Sequence, residues 1–182
     1  LKRSIASLST CAVLLLTAVT SWAQNAVEIQ VDVKDVKLSQ TYTPQFQGSN
    51  IVDKRWKPKP WLEVDMALEL KRATSSQDKS AFVDELEVKV FVALNKQSPN
   101  NKMYLLTASQ GYVNASVKEA NRVLLYASPK ALHRLLDKDF YNNDVKAVGI
   151  EIYHGGNLVG GHSSAGGKFW ETAADSFETV DK

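Results

Sequence analysis

Residues 61–70 read Trp-Leu-Glu-Val-Asp-Met-Ala-Leu-Glu-Leu. Leu62, Val64, Met66, Leu68 and Leu70 alternate with Glu63, Asp65, Ala67 and Glu69. Side chains on a strand point to opposite faces with a period of two, so this stretch has one oily face and one acidic face. That pattern is the signature of a half-buried strand. Burying its five apolar side chains is worth roughly 1.5–3 kcal/mol each, a large share of a small domain's driving force, which makes this strand central and raises the question of what pairs with it.

Other stretches repeat the signal. Val27, Ile29, Val31 and Val33 alternate with polar residues, and the phase then slips at Lys34-Asp35, which predicts a β-bulge of the kind that protects an edge strand. Residues 39–60, with Pro44, Gly48, Pro58 and Pro60, form a long connection. Leu86, Val88, Val90, Val92 and Leu94 predict a further strand, expected to pair antiparallel with 61–70. A turn over 95–101 leads to a strand over 103–109, followed by shorter strands over 112–116 and 122–127.

Ser128 followed by Pro129 gives an N-cap and a first helical position, and Leu132, Leu135 and Leu136 follow at helical spacing. Val148, Ile150 and Ile152 mark a strand over 145–154, and Gly155-Gly156 is a hairpin turn. Leu158-Val159 begins the return strand, and Gly160 to Gly167 reads as a glycine-rich loop. Phe169-Trp170 is expected in a last strand, with a frayed polar tail beyond it. Short amphipathic strands without βαβ alternation predict an all-β chain: an antiparallel two-sheet immunoglobulin-like sandwich with one short helix over about 128–138.

The first 23 residues stand apart. Lys2 and Arg3 precede the apolar residues 12–19, and Ser21-Trp22-Ala23 supplies small residues for cleavage. Residues 1–23 are therefore expected to be a secretory signal peptide, leaving 24–182 as a single domain, and Leu1 fits an initiator read from a non-AUG codon. Cys11 precedes Leu14, Leu15 and Leu16, the wrong order for a lipobox. The full chain carries 22 basic and 20 acidic residues. Lys2 and Arg3 leave with the signal segment, so the exported part is formally neutral and gives no global pull toward nucleic acid. It also lacks cysteine, so no disulfide holds it.

Sites for chemistry are sparse. Gly161-His162-Ser163-Ser164-Ala165 misses the last glycine of a nucleophile elbow, and no histidine follows Ser163. His133, His154 and His162 are not at metal-ligand spacing. Asp137, Asp139, Asn142, Asn143 and Asp144 are rich in oxygen but lack the glycine and glutamate of a calcium loop. They are expected to be a helix end and turn. Asn114-Ala115-Ser116 is a glycosylation sequon only for a eukaryotic secretory route. No catalytic residue, metal or cofactor is expected. The most distinctive local sequence is Lys54-Arg55-Trp56-Lys57-Pro58-Lys59-Pro60-Trp61. Lys54, Arg55, Trp56, Lys57 and Lys59 form the candidate interaction surface, since tryptophan faces attract both sugars and cations.

The signal segment, the strand beginning Val27-Glu28-Ile29, the passage Arg55-Trp56-Lys57-Pro58-Lys59-Pro60-Trp61 and the Ser128-Pro129 helix together resemble small exported proteins of Akkermansia-type gut bacteria. Those proteins are encoded with type IV pilus-like assembly genes. The resemblance implies an immunoglobulin-like sandwich without catalytic residues. It also implies a structural or interaction role at the periplasm or cell surface, with protein partners of the pilus or envelope and a possible homo-oligomer. The chain departs from true pilins in having only a short apolar N-terminal segment, which points to an accessory component. Trp56, Trp61 and Trp170 on a sandwich motivate the alternative expectation, a carbohydrate-binding module with a glycan partner.

Overall fold

A computed structural model describes residues 29–42, 58–73 and 80–181. The expected signal peptide, residues 1–23, and Lys54, Arg55, Trp56 and Lys57 lie outside the described residues. The elements run β1 (Ile29–Tyr42), β2 (Pro60–Arg72), β3 (Phe82–Val83), β4 (Leu86–Gln97), β5 (Met103–Tyr112), β6 (Ala115–Ser116) and β7 (Asn121–Ala127). Then follow α1 (Pro129–Leu136), β8 (Val145–His154), β9 (Asn157–Ser163), α2 (Phe169–Thr172) and β10 (Phe177–Asp181). One sheet has the order β1-β2-β7 and the other β10-β5-β4-β8-β9, with a small β3-β6 ribbon beside them. The all-β sandwich expected from the alternation is present.

The two strands with the cleanest alternation are the central strands of opposite sheets. β2 lies between β1 and β7, and β4 lies between β5 and β8. The expected β2–β4 pairing is therefore corrected: the two face each other across the core. Alternation says which face is buried and is silent on whether the covering layer is a neighbour or a facing strand. The 13 residues from 73 to 85 exceed the two to about five residues of a tight hairpin, and they carry the chain from one sheet to the other. Leu62, Met66, Leu68, Leu86, Val88 and Leu94 are at most 2% exposed.

The bulge in β1 is present. Register shifts between Lys34 and Lys37, and Asp35 takes a left-handed backbone with φ 50°. Gly155 and Gly156 both have positive φ and close the β8–β9 hairpin. Ser128 caps α1, its hydroxyl accepting from the Ala131 amide at 3.3 Å. Leu132, Leu135 and Leu136 carry the helix's buried face into the main core, where Phe140 is also buried.

Three expectations for the C-terminal third need correction. Gly160 and Gly161 belong to β9 rather than to a loop. Ser164 extends that ladder, its amide donating to the Val148 carbonyl at 3.0 Å and its hydroxyl accepting from the Val148 amide at 2.9 Å. Phe169 and Trp170 start a one-turn helix rather than a strand, so α1 is joined by a second helix. The polar tail forms β10, which pairs parallel to β5 from Phe177↔Met103 to Asp181↔Thr107 and breaks the antiparallel pattern at that edge. Apolar residues at 169, 170 and 177 do not alternate, because they form a small second core on the outer face of the larger sheet. Trp170 stacks on Phe91 at 4.8 Å and covers Gly149.

Candidate interaction surface

A sandwich has two long sides where its sheets meet. On one side β1 approaches β9 closely: a Cβ built on Gly160 would lie 2.2 Å from the Val31 carbonyl oxygen. On the other side β7 and the β5–β10 pair stand apart. Between them lies a cleft of about 570 Å³, roofed by α1. Its inner wall includes Val64, Val90, Val92, Leu106, Leu125 and Leu135. Leu124 and Tyr126, on the other face of β7, also border it and are 48% and 46% exposed. Trp61 completes the border, its ring meeting Tyr126 edge-to-face at 6.5 Å.

Chain chemistry explains this arrangement. Along β7 the side chains of Val123 and Leu125 turn inward, while Arg122, Leu124 and Tyr126 turn outward. Both faces of β7 are thus apolar near its free edge. Arg122 reaches across to Asp65 on β2 and forms an ion pair. The Glu63 carboxylate beside Tyr126 raises the phenol's pKa. Among the described residues no acidic side chain lines the cleft, and Arg134 on α1 is its cation. Among the described residues Arg134 makes no ion pair.

Of the surface expected from sequence, only Lys59 lies among the described residues, and it is exposed just before β2 begins. Lys54, Arg55, Trp56 and Lys57 fall outside them. Trp61 and Trp170 do not converge on one platform. Trp61 sits on the outer face of β2, whereas Trp170 is buried against Phe91 on the outer face of the opposite sheet. Sequence reasoning placed a strand over 122–127 but missed its role in a surface, because Leu124 and Tyr126 look like ordinary strand residues. Their position at a sheet end is not visible from the local sequence.

The remaining polar groups serve the fold. Asp144 is buried and accepts from the Lys138 ammonium at 2.6 Å and the Tyr141 amide at 2.8 Å. Asp137 ends α1 with a left-handed φ of 59°. The oxygen-rich stretch is therefore a helix end and turn, as expected. Ser163 ends β9 opposite Gly149, and His133 is exposed on α1. No cluster of metal-binding side chains is present among the described residues.

One buried carboxylate stands out. Glu151 on β8 accepts from the Tyr153 hydroxyl at 2.9 Å and meets the Lys168 ammonium at 2.5 Å. Burial alone would raise its pKa, but the Lys168 contact and the Tyr153 hydrogen bond outweigh burial and hold it below the usual range. Lys168 also meets Glu171 at 3.0 Å, and its pKa is raised by the two carboxylates. These contacts pin the segment before α2 to the sheet.

The fold and the open side define an all-β sandwich with one unsealed seam. A protein-family model matches residues 22–182, and this chain belongs to that family. A crystal structure of a protein from Akkermansia muciniphila is similar at a TM-score of 0.69 with 23% identity. The alignment covers 84% of this chain and 80% of that one. At that identity the likeness is one of fold. No curated protein sequence matches the chain. Among the described residues no helix is long and apolar enough to cross a membrane.

Proposed function

We propose that this protein is a non-enzymatic structural or interaction component exported to the cell envelope, an accessory of a type IV pilus-like system or of surface contact. The observation that carries this reading is the open seam: among the described residues a two-sheet core leaves an apolar cleft and an unpaired strand edge at one side. A monomer with nothing to bind gains no stability from such exposure. The family match and the fold shared with an Akkermansia protein support a related role. The immunoglobulin-like relationship belongs to the same proposal. It is supported by α1, which carries the chain from β7 in one sheet to β8 in the other.

Crosslinking in intact cells followed by affinity purification tests this role. Recovery of pilus-assembly or envelope proteins is expected. A deletion strain with unchanged surface composition and adhesion would count decisively against it.

A further inference from the structure

The unpaired edge of β7 and the cleft beside it form one continuous feature. Among the described residues β7 is the last strand of its sheet and pairs only with β2, in register from Leu62↔Ala127 to Leu68↔Asn121 without a bulge. A strand's free edge presents backbone donors and acceptors that water or another strand must satisfy. At β7 that edge is bordered on the inner side by Val90, Leu106 and Leu125, and on the outer side by Leu124 and Tyr126. A strand laid along it would send alternate side chains into the cleft and over the outer pair.

We propose that β7 accepts an extended peptide segment of a partner protein, added as a fourth strand. The segment alternates apolar residues and carries a carboxylate that meets Arg134. This rests on the reading of the protein as an interaction component and names how it binds. The cleft volume, about 570 Å³, lies in the ~300–1,000 Å³ range of ligand-sized sites. The carboxylate follows from charge: Arg134 stands in the cleft wall, Lys130 is exposed on the same helix, and among the described residues no acid lines the cleft. A second copy of β7 does not fit this chemistry. Its sequence, Asn-Arg-Val-Leu-Leu-Tyr-Ala, contains no acid.

The test pans a random peptide library displayed on phage against the intact exported chain. Synthetic versions of the selected peptides are then titrated into the wild type and two variants. Ala131→Phe places a ring in the cleft from α1. Arg134→Glu reverses the charge at a surface position, so one variant remains informative if the other fails to fold. Selected peptides are expected to alternate apolar and polar residues and to carry Asp or Glu toward one end. Both variants should weaken binding by about tenfold or more, and Arg134→Lys should restore most of it. Bound peptide should slow hydrogen exchange in β7 by about tenfold or more, since its edge amides gain partners.

Peptides that bind both variants as well as wild type would overturn the proposal, as would selected sequences with helical i, i+3, i+4 spacing. Concentration-dependent dimers that Ala131→Phe abolishes would give the edge to a second copy instead. Tight binding of an apolar dye with no selected peptide would make the cleft a small-molecule site. Absence of any envelope partner in the crosslinking experiment would sink the functional reading while leaving these peptide measurements intact.

Discussion

Along the β1–β9 side, Gly160 lets one backbone rest against the Val31 carbonyl; along the β7–β5 side, apolar walls face an open cleft. The two edge strands of the smaller sheet differ in the same sense. β1 carries exposed Lys34, Asp35 and Lys37 and a register shift that twists it away from any incoming strand. β7 runs seven pairings without a shift and shows Leu124 and Tyr126. One edge is protected against pairing and the other is not. Since both belong to one three-stranded sheet, the difference is local chemistry rather than architecture.

The closed side should break most severely. Gly160→Val puts a Cβ against backbone rather than against a flexible side chain, so the sheets must separate or the strand must shift. Overpacking of this kind should cost about 3 kcal/mol, read as a lower denaturant midpoint with an unchanged slope. An unaltered midpoint would mean that the closed seam is as loose as the open one. The bulge should be next in sensitivity. Asp35→Val forces a β-branched side chain into φ 50° and should cost about 1–2 kcal/mol, while Asp35→Gly should be nearly neutral.

These features differ in how far the local sequence reveals them. The slip in alternation at Lys34-Asp35 is enough to place the bulge, because a one-residue shift moves every later side chain to the other face. Ser128-Pro129 likewise announces α1, since the cap and the fixed φ act within one turn. Partner choice is non-local. The alternation of Leu62 to Leu70 and of Leu86 to Leu94 looks the same whether the strands share a sheet or face each other. Trp170 shows the same limit. Its burial depends on Gly149, which lacks a side chain exactly where the ring must lie, and the two are 21 positions apart. The open seam was hidden for the same reason: Leu124 and Tyr126 become unusual only once β7 is the last strand.

Glu151 offers a milder probe of the closed side, since it lies opposite Gly161 of β9 and is held by Lys168 and Tyr153. Its folded pKa is lowered, so its contribution is fully present above the ordinary glutamate value of 4.5. That contribution is lost as pH falls through the depressed folded value. Glu151→Gln should cost about 1 kcal/mol at neutral pH, because the amide still accepts from Tyr153 but no longer attracts the ammonium. The gap between variant and wild type should shrink in acid. Denaturant melts at neutral pH and near pH 3 would show it. A gap that stayed constant with pH would mean that the carboxylate's charge is irrelevant to the fold.

The smallest effect on stability is expected at the open side, where it is the most informative. Leu124→Lys gives β7 the kind of charge that β1 already displays at Lys34 and Lys37. Leu124 is half exposed on the outer face, so the change should alter unfolding free energy by no more than about 0.5 kcal/mol. Asp65 lies directly across on β2 and can receive the ammonium, although it already pairs with Arg122. What should change is association: a lysine standing beside the edge must be desolvated by any added strand, so recovery of partners in crosslinking should fall while the melting curve stays in place. If stability drops by several kcal/mol instead, Leu124 is part of the sandwich's own packing and β7 is not a vacant edge. If neither stability nor association moves, the difference between the two edges has no bearing on what the protein binds.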